Sequence, residues 1–391
     1  MPSTEPRNPR AISVKRLVLN NFRNYEYAEI DLDPLPVVLT GPNGAGKTNL
    51  LEAVSYLGPG RGLRGARLND VVRIGCGRGW SVAATLTGPD GPTRVGTGTE
   101  NGAVPQAAVA GARSIERRVV KLDGNKVSGP GALSALVRII WLTPGMDRMF
   151  VEAPSGRRRF LDRLTLGLEP GHGRNAAAYE RVMRERMTLL RAGGADDAWL
   201  AALEAAMAEH GVAIAAARRE ALARLRGALC AGIGPFPRAE AAVTGLLEDW
   251  LETMPALEAE EAFRTHLAQR RVMDSEAGKT TAGPHRSDLS VRHATKGLPA
   301  ARCSTGEQKA LLIAIVLANA RLQTAMKGAA PLLLLDEIVA HLDDGHRAAL
   351  FDEIGNLGAQ AWLTGTDREL FDRLGPRAQF LRVSDGAVGL F

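Results

Sequence analysis

The chain has 391 residues, 45% of them hydrophobic and 24% charged, with a net charge of +6 in which arginine dominates. These values predict a folded chain of two domains and exclude a disordered or low-complexity protein. No apolar run approaches the ~18 residues of a membrane span, the polar first ten residues lead into no signal-peptide core, and three scattered cysteines, Cys76, Cys230 and Cys303, lack metal-type spacing. A reducing cytoplasm is the expected location. The modest positive charge permits nucleic-acid binding without requiring it.

Strands are predicted at 12–20, through YAEIDLDP, and at 36–40 (PVVLT). The eight residues GPNGAGKT follow, then a helix over 49–58. Short strands are expected at 80–87, 94–98, 117–122 and 136–144, separated by turns such as GPDGP. From Arg157 to about Cys230 the period becomes helical. Trp199, Leu203, Met207 and Ile214 fall on one stripe, as do Leu222, Leu225 and Leu229, and core packing is the plain reading of both. One further helix is expected over 263–278 and a strand over 287–294. The last third alternates helix (EQKALLIAIVLANARLQTAM), strand (PLLLLDE), helix (GHRAALFDEIGNL) and strand (AQAWLTGT), closing with small strands.

Gly41, Pro42, Asn43, Gly44, Ala45, Gly46, Lys47 and Thr48 fit the P-loop pattern G-x-x-x-x-G-K-[ST] without departure. A strand before and a helix after aim backbone N–H groups and a helix N-terminus at a polyphosphate. ATP is the expected ligand, with Lys47 reaching its β- and γ-phosphates and Thr48 holding Mg²⁺. LLLLDE (332–337) reads as a Walker B strand delivering Asp336 to the Mg²⁺ shell and Glu337 to the attacking water. Ser304 and Gly306 open a long helix some thirty residues earlier. They read locally as an N-cap and functionally as an ABC-type signature facing the nucleotide of a second subunit. Asp343 lies where ABC ATPases carry a D-loop acid, and Asp344 is the expected cap of the next helix. Thr364, Thr366 and Asp367 are candidates for a switch residue, with no choice among them; the histidine common in transporter ATPases is missing.

Lys47 and Asp336 lie far apart in the chain, which an inserted lobe between two halves of one ATPase head would explain. The expected fold is α/β: a P-loop ABC-type head with mixed sheets around the P-loop helix. Its N-terminal half is 1–160, a mainly helical insertion is 161–272, and its C-terminal half is 273–391.

RLVLNNFRNY, GPNGAGKTNLLEAV, GPGRGLRG, SGRRRFLDR, TTAGPHRSDL, STGEQK and LLLDEIVAHLDD occur in order along nearly the whole chain. In these motifs it resembles the RecF family, bacterial recombination mediators related to SMC proteins. The resemblance implies an ATPase that dimerises on ATP and binds double-stranded, gapped or junction DNA. It implies action with RecR and RecO to direct RecA in gap repair and SOS induction, and no membrane. It places Asn43 near the γ-phosphate. Arg23 touches either phosphate or an acid. Arg157, Arg158 and Arg159, the densest basic run, serve either phosphate binding or acid pairing. Two helices of ~35 residues reach only about 50 Å, far short of an SMC arm. A transporter subunit would carry signature and Walker B within ~200 residues of the P-loop. A non-hydrolysing clamp would carry a damaged Walker B, whereas Asp336 and Glu337 are both present.

Overall fold

A computed structural model describes residues 11–76, 79–89, 91–99, 117–193 and 196–390. It divides into two compact units: Met1–Gly145, Ile233–Phe236 and Val316–Phe391 in the first, Met146–Gly232 and Pro237–Ile315 in the second.

In the first unit β1 (Ser13–Phe22) buries Leu17 and Leu19 and exposes Arg16 and Asn20, the alternation of a half-buried strand. β2 (Tyr25–Asp31) follows, then the fully buried β3 (Val37–Thr40), α1 (Lys47–Ser55) and the short α2 (Leu68–Val71). β4 (Ser81–Gly88), β5 (Gly91–Thr99), β6 (Arg118–Leu122) and β7 (Asn125–Lys126) complete an antiparallel sheet of order β2-β1-β4-β5-β6-β7. β8 (Ile139–Leu142) belongs to another sheet.

The second unit begins with α3 (Pro154–Leu168), α4 (His172–Ala192) and α5 (Asp197–Ala231). Leu203, Met207, Ile214, Leu222, Leu225 and Leu229 are buried as their spacing predicts, whereas Trp199, on the same stripe, is 51% exposed. The stripe starts one turn too early: Trp199 stands in the first turn of α5, where Asp196 caps the helix. The sequence predicts neither β9 (Ala239–Thr244), half of it alanine with little strand propensity, nor α6 (Leu246–Thr253). The helix expected over 263–278 is two, α7 (Ala256–Gln269) and α8 (Arg271–Ala277), parted at Arg270. The Leu267 carbonyl at the end of α7 accepts from Arg186, and Asp274 N bonds back to the Arg270 carbonyl. β10 (Asp288–His293) pairs with β9 and with β11 (Leu298–Pro299) in an antiparallel sheet. This unit is therefore helical with a small sheet, and broader in sequence than the 161–272 insertion.

α9 (Thr305–Lys327) runs from the second unit into the first, which continues with β12 (Leu332–Leu335), α10 (Asp344–Leu357), β13 (Ala361–Gly365), β14 (Gln379–Ser384) and β15 (Ala387–Leu390). The order β15-β14-β3-β13-β12-β8 is parallel except at β15, and β3 lies between two strands from the far end of the chain. The two halves of the head are thus one sheet. Gln360, fully buried, adds to this by accepting from Val14 N and donating to the Val14 and Asp33 carbonyls. One apolar cluster joins Leu17, Leu19 and Val82, Leu50 and Leu51 of α1, and Leu39, Leu334 and Trp362. A buried leucine side chain contributes about 1.5–3 kcal/mol, so α1 is fixed from both sides. α5 and α9 are long and apolar enough to cross a membrane by length and composition, each with mean hydropathy 1.3 over its window, although no single apolar run showed this; 50% and 72% of those windows are buried within the fold.

Candidate functional site

β3 ends at the first glycine of the P-loop. Gly41 has φ +150, and a Cβ there would stand 2.1 Å from the Val383 carbonyl oxygen. Gly46, at φ +117, would bring a Cβ to 2.6 Å from Asn24 Nδ2 and 2.7 Å from the Tyr25 hydroxyl. Both positions therefore demand glycine. Asn24 and Tyr25 brace the loop by donating to the Ala45 and Gly46 carbonyls at 3.1 Å each. Pro42, Asn43 and Gly44 are exposed at the loop's crest. α1 starts at Lys47, two residues before the period suggested, so its first free N–H groups belong to the motif itself.

Lys47 Nζ donates to the Gly41 carbonyl at 2.6 Å and to that of Pro42 at 3.0 Å. Burial pulls its ammonium below the ordinary lysine value, while Glu337 and Asp336 push it back up. Asp336, at the end of β12, accepts from the Thr48 hydroxyl at 2.9 and 3.1 Å and from the Thr364 hydroxyl at 2.9 Å. Burial raises its carboxyl above the usual aspartate range, against the lowering effect of those two hydroxyls. Glu337 has φ +53, the left-handed region, and its N–H donates to Thr364 Oγ1 at 2.8 Å. Residues nearly 290 positions apart are thus within hydrogen-bond reach. The donor set suits a Mg²⁺–nucleotide: glycine amides and a lysine for phosphate, one hydroxyl and one carboxylate for a hard cation that keeps much of its water.

Of the three switch candidates, Thr364 alone joins this cluster; Thr366 bonds its neighbour Asp367 at 2.9 Å. Arg23 pairs with an acid: its Nε and NH2 grip the fully buried Glu52 of α1 at 2.8 and 2.7 Å, beside Arg64 at 2.6 Å. Glu52 had no signal in the sequence beyond its helical position. Asp343, not Asp344, caps α10, accepting from His346 N at 2.8 Å; Asp344 is the first helical residue.

In the second unit Ser304 and Glu307 form a capping box at the start of α9. Glu307 Oε2 accepts from Ser304 N and Oγ at 2.9 and 3.0 Å. With Lys296 also bonded to it, the Glu307 carboxyl is held down to about 2. A Cβ on Gly306 would meet no atom within 4 Å, and its φ lies outside the left-handed region.

SGRRRFLDR and TTAGPHRSDL bind each other. Arg157 pairs with Asp288 at 2.7 and 2.8 Å, and Arg158 donates to the Ser287 carbonyl at 2.9 Å. Of the two roles left open for this run, acid and carbonyl pairing holds for Arg157 and Arg158, while Arg159 is exposed. Asp162 accepts from Arg218 at 2.8 and 3.1 Å, and Arg218 also reaches the Pro284 carbonyl at 2.7 Å. Gly283 is required because a Cβ would lie 2.2 Å from the Tyr179 hydroxyl.

Known proteins share this fold. The family model for the RecF/RecN/SMC N terminal domain matches residues 13–385. The chain is 50% identical over 384 residues to the DNA replication and repair protein RecF of Mesorhizobium japonicum, covering 97% of this chain and 98% of that one. It is 48% identical over 382 residues to that of Rhizobium leguminosarum bv. trifolii, covering 97% and 99%. Among solved structures, the recombination mediator protein RecF with ATP superposes with TM-score 0.81 at 22% identity, over 99% of this chain and 100% of that one. A Pyrococcus furiosus Smc head domain superposes with TM-score 0.51 at 15% identity, over 97% and 96%. The chain belongs to the RecF family and has the ABC-type ATPase head shared with SMC proteins.

Proposed function

We propose that this protein is an ATP-dependent DNA-binding ATPase of recombinational repair, which closes on double-stranded DNA as an ATP-induced dimer and is released by slow hydrolysis. The observation that carries the enzymatic part is the meeting of Thr48, Asp336, Thr364 and Glu337 beside the P-loop. Lys47, with the loop's amides, binds the β- and γ-phosphates of ATP. Mg²⁺, when bound, neutralises charge on the phosphates. Thr48 and Asp336 are the residues that would hold it. Glu337 orients a water and takes its proton as that water attacks the γ-phosphate.

Gly306 supports the two-subunit reading. A Cβ there would meet no atom within 4 Å, so the start of α9 leaves room for a second copy to approach. The Ser304 end of α9 then meets the nucleotide of a second copy, and Asp343 contributes to the same junction. DNA binding rests on the family and on the arginine-rich +6 charge. RecR, RecO and RecA, as downstream partners, and cytoplasmic location rest on the family alone.

Size-exclusion chromatography with and without ATP and duplex DNA tests the proposal. A shift to dimer with ATP, and co-elution with DNA only then, is expected. Glu337→Gln should bind ATP, lose hydrolysis and hold the DNA-bound dimer longer after a chase with unlabelled protein. A monomer under all conditions would refute the dimer, and normal hydrolysis by the glutamine variant would remove Glu337 from its role.

A further inference from the structure

Thr364 is a buried threonine at the end of β13, 1% exposed. Its hydroxyl is used in both directions: it donates to Asp336 Oδ1 at 2.9 Å and accepts from Glu337 N at 2.8 Å. Those two residues are adjacent but differ in backbone state. Asp336 continues from β12, with its N–H bonded to the Leu142 carbonyl at 2.9 Å, and Glu337 turns into the left-handed region at φ +53. A glutamate in that region is strained and stays there only if its surroundings fix it. The Glu337 N–H is fixed by one acceptor, the Thr364 oxygen. A comparison lies one strand away. Thr40, at the end of β3 and in register with Gly365, is equally buried at 2%, yet its hydroxyl bonds to nothing. Burial at a strand end does not by itself engage a threonine hydroxyl here.

We propose that Thr364 is a positioning residue for hydrolysis, its hydroxyl locking the Asp336 carboxylate and the left-handed backbone of Glu337 into one unit so that the Glu337 carboxylate is held where it acts. Asp336 keeps its second hydroxyl, from Thr48, when Thr364 is changed, so nucleotide binding is spared while the direction of Glu337 is not.

The inference rests on Glu337 being the general base, and the test separates the two. Thr364→Val, which keeps shape and removes the hydroxyl, should lower kcat about ten- to hundred-fold, the scale of one lost buried hydrogen bond in the transition state. ATP affinity, measured by titration with a non-hydrolysable analogue, should stay within about threefold of the parent by the same reasoning. Amide hydrogen exchange at Glu337 should accelerate in the valine variant, since its N–H loses its acceptor. Thr364→Ser, which retains the hydroxyl, should restore both rate and protection, and Thr40→Val should leave both unchanged. Should the valine variant fail to fold, Thr364→Ala takes its place in every comparison. If Glu337→Gln is inactive but Thr364→Val hydrolyses like the parent, the inference is wrong and the base assignment stands. Equal losses in the Thr364 valine and serine variants, a parallel loss in Thr40→Val, or a collapse of ATP affinity would also overturn it, assigning the effect to packing or to metal and nucleotide binding. A fully active Glu337→Gln removes the base assignment and this inference together.

Discussion

Arg186→Met should weaken the second unit by about 3 kcal/mol, at the low end of the 3–5 kcal/mol lost when one partner of a buried ion pair is removed. Arg186 is fully buried; its Nε donates to Glu204 at 3.0 Å, NH1 to Asp274 at 2.7 Å and NH2 to the Leu267 carbonyl at 2.8 Å. Methionine fills much of the same volume but leaves two buried carboxylates without that cation. Both keep other partners. Glu204 retains Arg271 at 2.9 and 2.7 Å, and Asp274 retains Thr281 N and Oγ1 at 2.9 and 2.7 Å. Those bonds place the cost at the low end. Against a domain stability of about 5–15 kcal/mol the loss is large. With a urea slope of about 1–3 kcal/mol/M, the unfolding midpoint should fall by about 1–3 M. Hydrogen exchange along α5 locates the change in this unit rather than in the P-loop unit. Adding Asp274→Asn removes one of the stranded charges and should recover part of the loss. A cost below about 1 kcal/mol, or no recovery in the double variant, would refute the view that this network is held together by its central arginine.

Lys47→Ala should reduce ATP affinity about ten- to hundred-fold, the worth of a charged hydrogen-bond donor to phosphate, with the fold intact because the loop's shape rests on Gly41 and Gly46; isothermal titration and circular dichroism check the two halves of that statement. Ser304→Arg should leave ATP binding by the monomer intact and abolish ATP-dependent dimerisation in analytical ultracentrifugation; loss of monomer binding would mean that this helix start acts within its own chain or that the unit has unfolded. Duplex DNA binding should require ATP, ignore base sequence and fall steeply with salt, with a negative slope of log affinity on log salt proportional to the phosphates contacted. A flat salt dependence in fluorescence anisotropy would contradict the arginine–phosphate basis of binding.

Much of the head was legible because its signals are local. A buried strand such as LLLL, a glycine loop and a helix with apolar spacing each declare themselves within ten residues. What could not be read was pairing between distant segments. β3 lies between β13 and β14, and Gln360 ties β1 to that sheet, by contacts across some 300 residues that no window covers. β9 escaped for a different reason. Its alanines and glutamate carry no strand preference, and the strand exists because β10 offers it a ladder. Trp199 shows the limit of periodicity, which gives a face but not the turn at which that face meets the core.

The site divides along the same line. The backbone demands of the P-loop are written in its glycines, and the carboxylates of Walker B in the strand that delivers them. Side-chain partnerships across the fold are not written there. Arg23 stands near the P-loop in sequence logic and looks like a phosphate ligand, yet a buried carboxylate on α1 takes both its Nε and NH2. Arg157 and Arg158 look like a nucleic-acid patch, yet an aspartate and a carbonyl of the second motif hold them. In both cases the sequence left an outward and an inward use of the charge open, and the structure uses it inward, since a buried acid such as Glu52 must be paired to be tolerated. An arginine paired with an acid leaves the net charge of +6 unchanged, but it takes Arg23 and Arg157 out of the set of cations free to meet a phosphate. For the proposed DNA binding, exposed arginines such as Arg159, outside the locks that join the two motifs, are the ones to substitute first.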